Sequence, residues 1–368
     1  MIYGIFIVFV VAISTQSIFW LLFVFTLSRH KNKKSIAMEG RGISVMICAY
    51  NELENLKILL PKLYNQDYDE FEVIIVNDRS SDGSYDFLLE EKKTHAHLKT
   101  VDIDRAPDHI DAKKYAITLG IKAAKFDHLL FTDADCYPES KKWISSMAKS
   151  FGEKTKFVLG YSQFKQEKGF VNSFSRFETQ HTGMLYCTLA KLGRPYMGVG
   201  RNMAYTKEMF LENKGFNQYQ KVTGGDDDLL VNEHAKGINT EVCIGQSTLV
   251  WSYSKKTFLE YFNQKRRHIS VSKYYKFLDK FILGMYSLSH LLFWIAFVIL
   301  AATKYFPELI FGLFACRLLL NTLIVHTTSK KFGERIVVWH VPIMDFIYNI
   351  YLMIMGLASL STKKVTWK

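Results

Sequence analysis

Two aspartates one residue apart, Asp133 and Asp135, follow the apolar run His128 to Phe131. Carboxylates at i and i+2 beyond a buried strand suit a divalent cation that also holds a diphosphate, because hard ions such as Mg²⁺ take oxygen ligands at about 2.1 Å and leave room for phosphate oxygens. Taken alone the pair more often marks a turn, where aspartate is common. Asp78 closes an earlier apolar run and leads into Arg79-Ser80-Ser81-Asp82-Gly83-Ser84. That turn-rich segment can wrap a base or ribose or, through Ser81 or Asp82, cap a helix. Asp226, Asp227 and Asp228 crowd three like charges after Gly224-Gly225. Such crowding raises at least one pKa and suits a general base, while a solvated helix start over Leu229 to Ala235 would accept the same acids. Gln264 and Arg267 stand at i and i+3 beside Lys265, Arg266 and His268. A guanidinium there can grip pyrophosphate oxygens; a basic stretch that touches lipid headgroups is the alternative.

These residues need a scaffold that brings them to one edge. Ile43 to Cys48 and Phe71 to Val76 are apolar runs of strand length, separated by the amphipathic stretch Leu53 to Leu63. A third unit runs through Leu98 to Ile103, a helix at Ala112 to Ala124, and the strand His128 to Phe131. Strands alternating with helices predict a parallel sheet covered on both faces, with ligands gathered beyond the C-terminal strand ends. Asn51, Asp78 and Asp133 all fall just past such ends. Further on, Phe170 to Lys191 reads as a helix, and Gly198 to Asn202 as a turn before a short strand.

The two ends of the chain have another composition. In 368 residues, 49% hydrophobic and 15% aromatic, the apolar residues concentrate at the termini. Ile2 to Leu27 carries no charge and exceeds the roughly 20 residues that cross a bilayer. The cluster Arg29-His30-Lys31-Asn32-Lys33-Lys34 directly after it places that flank in the cytoplasm. Phe281 to Ala302 reads as a second span, and Ile310 to Val325 as a third in which Arg317 must snorkel or face protein. Ile336 to Leu360 is interrupted by His340, Pro342, Asp345 and Asn349. With Lys330-Lys331 before it and Lys363-Lys364 after it, a segment that enters and returns is expected. The chain is thus expected to divide into an anchor at 1–28, a globular domain at 40–270, and an interfacial and transmembrane region at 271–368. A net charge of +12 does not make it a nucleic-acid binder, since the basic residues are scattered and cluster beside apolar spans. Five cysteines without a CxxC pair fit a reducing cytoplasm.

The order Cys48-Ala49-Tyr50-Asn51-Glu52, Val76-Asn77-Asp78-Arg79-Ser80-Ser81-Asp82-Gly83-Ser84, Asp133-Ala134-Asp135, Gly225-Asp226-Asp227-Asp228-Leu229 and Gln264-Lys265-Arg266-Arg267-His268 resembles family 2 glycosyltransferases. The likeness covers about residues 40 to 270 and points to the membrane-bound members with D, DxD, D and QxxRW motifs. It implies an α/β GT-A fold, a Rossmann-like mixed sheet, with transmembrane helices at both termini. It further implies Ala49, Tyr50, Glu52, Asp78, Lys113 and Asp133 around a nucleotide, and Asp135 with Asp133 on Mg²⁺ or Mn²⁺. Asp226 would be the general base, with Asp227 second, and Gln264 and Arg267 would close over the diphosphate. Gly225 replaces the usual Glu, which leaves the register of the aspartates open. His268 replaces the Trp that supports acceptor binding in chain-extending relatives.

The expected activity is an inverting transfer from a nucleotide-diphospho-sugar, UDP-linked, to a lipid or lipid-linked acceptor, by a multi-pass protein whose catalytic domain is cytoplasmic, at a bacterial inner membrane. A processive polysaccharide synthase is the alternative within enzymes. A non-catalytic membrane protein that binds nucleotide sugar is the alternative outside them. A phosphatase reading of the DxD pair is weakened by Tyr137 where a Thr would stand.

Overall fold

The structure is a computed structural model and describes residues 1–33 and 40–361, so Lys34 and the Lys363-Lys364 tail lie outside the described residues. In chain order the elements are α1 (Ile2–Ser28), β1 (Ile43–Ala49), α2 (Leu53–Tyr64), β2 (Phe71–Asp78), α3 (Ser84–Thr94), β3 (Leu98–Ile103), α4 (Ala112–Ala123), β4 (His128–Phe131), β5 (Cys136–Pro138) and α5 (Trp143–Ala148). Then follow β6 (Phe157–Leu159), β7 (Ser162–Phe164), α6 (Phe170–Lys191), β8 (Met203–Thr206), α7 (Lys207–Glu212) and α8 (Asp228–His234). The last are β9 (Thr240–Val242), β10 (Val250–Ser252), α9 (Phe258–Val271), α10 (Phe277–Ala302), α11 (Pro307–Phe332) and α12 (Val341–Ser361). They form two compact units, one of Lys31–Lys165 and Leu189–Ser254, the other of Met1–His30, Gln166–Thr188 and the chain from Lys255 onward. This division differs from a single 40–270 domain, because 166–188 and 255–270 group with the apolar helices.

The first unit is built on a seven-stranded sheet of order β3-β2-β1-β4-β8-β6-β9, with a three-stranded sheet β5-β10-β7 beside it. Strands β3, β2, β1 and β4 are parallel, as the alternation of strands and helices requires. The cores of β1, β2 and β4 are largely apolar, since helices cover both faces, and Val45, Ile47, Val73 and Ile75 are fully buried, whereas the edge strand β3 keeps Lys99 and Asp102 exposed. Beyond β4 the simple parallel pattern ends. β8 runs antiparallel to both β4 and β6, pairing Phe131 with Met203, so the sheet is mixed. An antiparallel neighbour starts where β4 stops. The turn before β8 therefore shares an edge with the ends of β1, β2 and β4.

Among the described residues, the second unit contains four helical stretches long and apolar enough to cross a membrane: Ile2–Ser28, Phe277–Ala302, Pro307–Phe332 and Val338–Ala358. The expected enter-and-return segment is instead the continuous helix α12. Pro342 sits in its first turn, where no intrahelical N–H is lost. Asp345 is not left to lipid either, because it pairs with Arg317 of α11. The Arg317 guanidinium also donates to Gln16 Oε1 of α1 at 2.9 and 2.7 Å and lies 4.5 Å from the Phe293 ring centre. Asn321 Nδ2 at 2.8 Å and Trp294 Nε1 at 3.3 Å donate to the same carboxylate. Arg317 faces protein rather than snorkelling.

Candidate active site

The first unit's site begins at the C-terminal edge of β2, β1 and β4. Ala49 ends β1 and is buried, while Tyr50 is about half exposed at 49%. Asn51 and Arg79 follow the ends of β1 and β2 with φ of 54° and 60°. Left-handed backbone at non-glycine residues costs about 1–3 kcal/mol and persists only where surroundings hold it. Here the two loops hold each other. The Asn51 N–H donates to Ser80 Oγ at 3.0 Å, Asn51 Oδ1 accepts from the Ser81 N–H at 2.8 Å, and Asp82 Oδ2 accepts from the Leu53 N–H at 2.9 Å. Asp82 Oδ1 accepts from Ser84 Oγ at 2.6 Å. The Ser80–Asp82 segment thus ties loops and satisfies helix-start donors, the capping alternative raised above. Asp78 is buried at the end of β2, and both its oxygens accept from Arg79 at 2.8 and 3.1 Å.

At the end of β4 the Asp133 carboxylate meets the Lys113 ammonium of α4 at 3.1 Å. The same ammonium lies 3.2 Å from Asp226 Oδ2. Burial works against a charged Lys113, yet Asp133 and Asp226 hold its pKa well above the usual lysine value. Asp226 is only 8% exposed. Burial would raise its pKa, but Lys113 first and then Lys114 keep it below the ordinary carboxylate range. Asp227 behaves oppositely: burial and then the Asp226 charge push its pKa up to about 6, against backbone N–H groups of Gly200 at 2.7 Å and Asp228 at 2.8 Å. Two adjacent carboxylates therefore differ in proton affinity, as sites that divide acid and base roles require. Glu52 is pushed up by burial, then by Asp135 and Asp133, which places all three carboxyls within electrostatic reach. The Asp133 and Asp135 oxygens and the Cys136 sulfur lie within 4.8 Å of one another.

Four contributors received no site role from the sequence. Cys48 and Met46 line the recess with Lys113, Asp133, Asp226 and Asp227. Burial pushes the Cys48 thiol up to about 12, away from the range of a reactive thiolate. Lys114 is fully buried; it donates to the Val222 carbonyl and, at 2.6 Å, to that of Gly224. It thereby fixes the Gly224-Gly225 turn, whose φ values of 78° and 76° only glycine adopts freely. Gly200 brings its N–H to Asp227 because the antiparallel β8 starts at this edge. A polar residue beside a glycine pair is common, and only the register of β8 makes these positions meaningful.

Gln264 and Arg267 lie in the other unit, on α9, one turn apart on the same helix. There Lys265 pairs with the buried Glu178 of α6, which also accepts from Tyr261 OH at 3.0 Å and, through Oε1, from Thr182 at 3.1 Å. α9 is thus locked to α6 by a charged, hydrogen-bonded contact beside Gln264.

Comparison with known proteins agrees with the fold. Residues 44–213 match the model described as glycosyl transferase family 2, and residues 147–358, more than half of the chain, that of glycosyl transferase family group 2. A poly-beta-1,6-N-acetyl-D-glucosamine synthase of Staphylococcus epidermidis is 35% identical over 102 residues, 28% of this chain and 24% of that one. The synthase of the same name from Staphylococcus aureus (strain COL) is 30% identical over 128 residues, 33% and 30%. The chain thus spans about a quarter to a third of the length of these curated relatives. A mannosyltransferase of Pyrobaculum calidifontis, solved in complex with GDP-Man and Mn²⁺, superposes with a TM-score of 0.61 at 17% identity, over 95% of this chain and 99% of that one. The mixed sheet is a GT-A fold, and the chain belongs to the family 2 glycosyltransferases.

Proposed function

We propose that this glycosyltransferase moves a sugar from a nucleotide-diphospho-sugar, UDP-linked, to a lipid or lipid-linked acceptor at the cytoplasmic face of a bacterial inner membrane, with inversion at the anomeric carbon. The observation that carries it is the pairing of Asp133 and Asp226 on one ammonium, at the strand edge where Asp78 also ends. In α/β sheets ligands gather at that edge. Nucleotide would lie along Ala49, Tyr50, Glu52, Asp78 and Asp133. The four membrane-length helices support an acceptor that partitions into lipid.

Asp133 and Asp135 offer oxygen donors of the kind Mg²⁺ and Mn²⁺ prefer. Cys136 lies in the same cluster, but its soft sulfur is a poor ligand for hard ions such as Mg²⁺. Asp135, with Asp133, would hold the ion, which when bound supplies positive charge to the diphosphate. The remaining work falls to the chain's own groups. Asp226, held ionised by Lys113 and Lys114, accepts the proton of the acceptor hydroxyl, and that oxygen attacks the anomeric carbon from the face opposite the leaving diphosphate. Asp227, pinned by Gly200 and Asp228, is the second candidate base. Lys113 would keep both acids in place and offer charge to the nucleotide side. For Gln264 and Arg267 the motif alone supports their part, with Arg267 stabilising charge that builds on the departing diphosphate.

A processive synthase is the second reading, favoured by the polymer-forming names of the relatives and opposed by His268 in the QxxRW position. The deciding experiment measures nucleoside diphosphate release from a panel of nucleotide sugars by the full chain in lipid, with Mg²⁺ or Mn²⁺ and with chelator, and total lipid extract as acceptor. One active donor with a single new glycolipid supports the proposal. A polymer ladder favours the synthase, and metal-dependent donor binding without turnover on any donor overturns both.

A further inference from the structure

A cavity of about 600 Å³ lies in the membrane-associated unit, outside everything assigned above. Its walls are the start of α6 and the connection between α11 and α12. One wall is cationic: Lys168 and Arg335 are exposed, and Arg176 is buried behind them. The Arg176 guanidinium is held in place by Glu334 Oε2 at 3.4 Å and the Arg335 carbonyl at 2.8 Å. Glu334 is thereby spent on Arg176, and Glu167 is the lone carboxylate among the described lining side chains. The opposite wall is apolar, with Phe177, Val341 and Met344.

The place of this cavity in the chain decides what would fill it. Residues 333–340 join two helices that each have membrane length, so the cavity lies at their joined ends, where helices of that length would leave an apolar layer. Trp339 in the same connection is 87% exposed, the position of an interfacial anchor. A soluble anion would not use the apolar wall, and a neutral lipid would not use the two exposed cations. We propose that the cavity receives the phosphate head of a lipid phosphate, with Lys168 and Arg335 on the phosphate oxygens, Arg176 holding the Arg335 backbone in place, and the first part of the chain along Val341 and Met344. The proposal rests on the lipid-acceptor reading and narrows it to an acceptor whose head carries phosphate.

The test uses the full chain in phosphatidylcholine nanodiscs and equilibrium binding of dioctanoyl phosphatidic acid. Charge-assisted hydrogen bonds contribute enough that reversing two cations weakens binding about 10- to 100-fold. Lys168→Glu with Arg335→Glu is expected to do this with an unchanged melting temperature, both residues being exposed. Val341→Trp, which fills the apolar side, is expected to weaken binding about tenfold while leaving the cations in place. Unchanged affinity in both variants overturns the proposal. So does dioctanoylglycerol binding as tightly as the phosphatidic acid, or inorganic phosphate displacing the probe at equal concentration. The two readings fail separately. Glycolipid formation with phosphatidic acid binding indifferent to these substitutions removes only the cavity assignment, whereas no lipid product with any donor removes the lipid-acceptor reading whatever the binding shows.

Discussion

Two buried charge clusters, one in each unit, solve opposite problems. Around Arg317 the charges balance: one guanidinium faces one carboxylate, Gln16, His290, Asn321 and Trp294 add further hydrogen bonds, and neither charged side chain is exposed. Around Lys113 the count stays open. One ammonium faces Asp133 and Asp226, with Asp227 beside them, and the Asp133 side chain remains 35% exposed. A sealed ion pair among apolar helices serves assembly, since an unpaired charge there is costly. An excess of acid that water can reach has room for a cation or a proton-bearing substrate. Balance and access, rather than burial, separate the two.

The largest effect is expected at the closed cluster. Asp345→Ala strands the Arg317 guanidinium and is expected to destabilise the folded chain by about 3–5 kcal/mol, whereas Asp345→Leu with Arg317→Leu recovers most of the loss. Thermal melts in detergent check this, and a wild-type melt for the single variant refutes the sealed-pair interpretation. At the open cluster the effect moves from stability to rate. Asp226→Asn is expected to lower turnover about 10²- to 10⁴-fold with little change in melting temperature. Retention of a tenth or more of the activity would pass the base role to Asp227.

The next effect is a pH slope. Burial and the Asp226 charge push Asp227 up to about 6 from an ordinary value of 3.8, so between those values the folded state holds a proton that the unfolded state has lost. Stability from this group is full below pH 4 and lost as pH rises through 6. Melts in chelator from pH 4 to 7 should therefore show wild type losing stability relative to Asp227→Asn; parallel curves would contradict the shift. The smallest effect belongs to Gly200→Ala. A Cβ there would stand 3.3 Å from Asp227 Oδ2, tight enough to displace the carboxylate by tenths of an ångström. Turnover should fall by roughly tenfold or less. In an Asp227→Asn background the same change should do nothing further if it acts through that carboxylate.

Local signals carried much of the scaffold. The ends of β3, β4 and α6 fall where the apolar runs and turn residues put them, because strand period and helix period are short-range properties. β1 and β2 continue one or two residues further than their apolar runs, carried by ladder pairing of Ala49 with Asn77 and Asp78 with Ile103. What sequence could not convey was pairing at a distance. The direction of β8 depends on its partners β4 and β6, and that direction puts Gly200 beside Asp227. Likewise Asp345 reads as an interruption until Arg317, 28 residues earlier, is seen to answer it. Lys113 and Lys114 are indistinguishable neighbours in sequence, yet one faces two carboxylates and the other is a strut under a glycine turn.

The cross-tied loops after β1 and β2 have a thermodynamic consequence. Ordering a free loop costs about 1–2 kcal/mol of backbone entropy per residue. Asn51, Ser80, Ser81 and Asp82 have met that cost during folding, through hydrogen bonds that need no ligand. A molecule arriving at this rim finds a surface already set, so its affinity reports the contacts it makes and not the freezing of the protein around it.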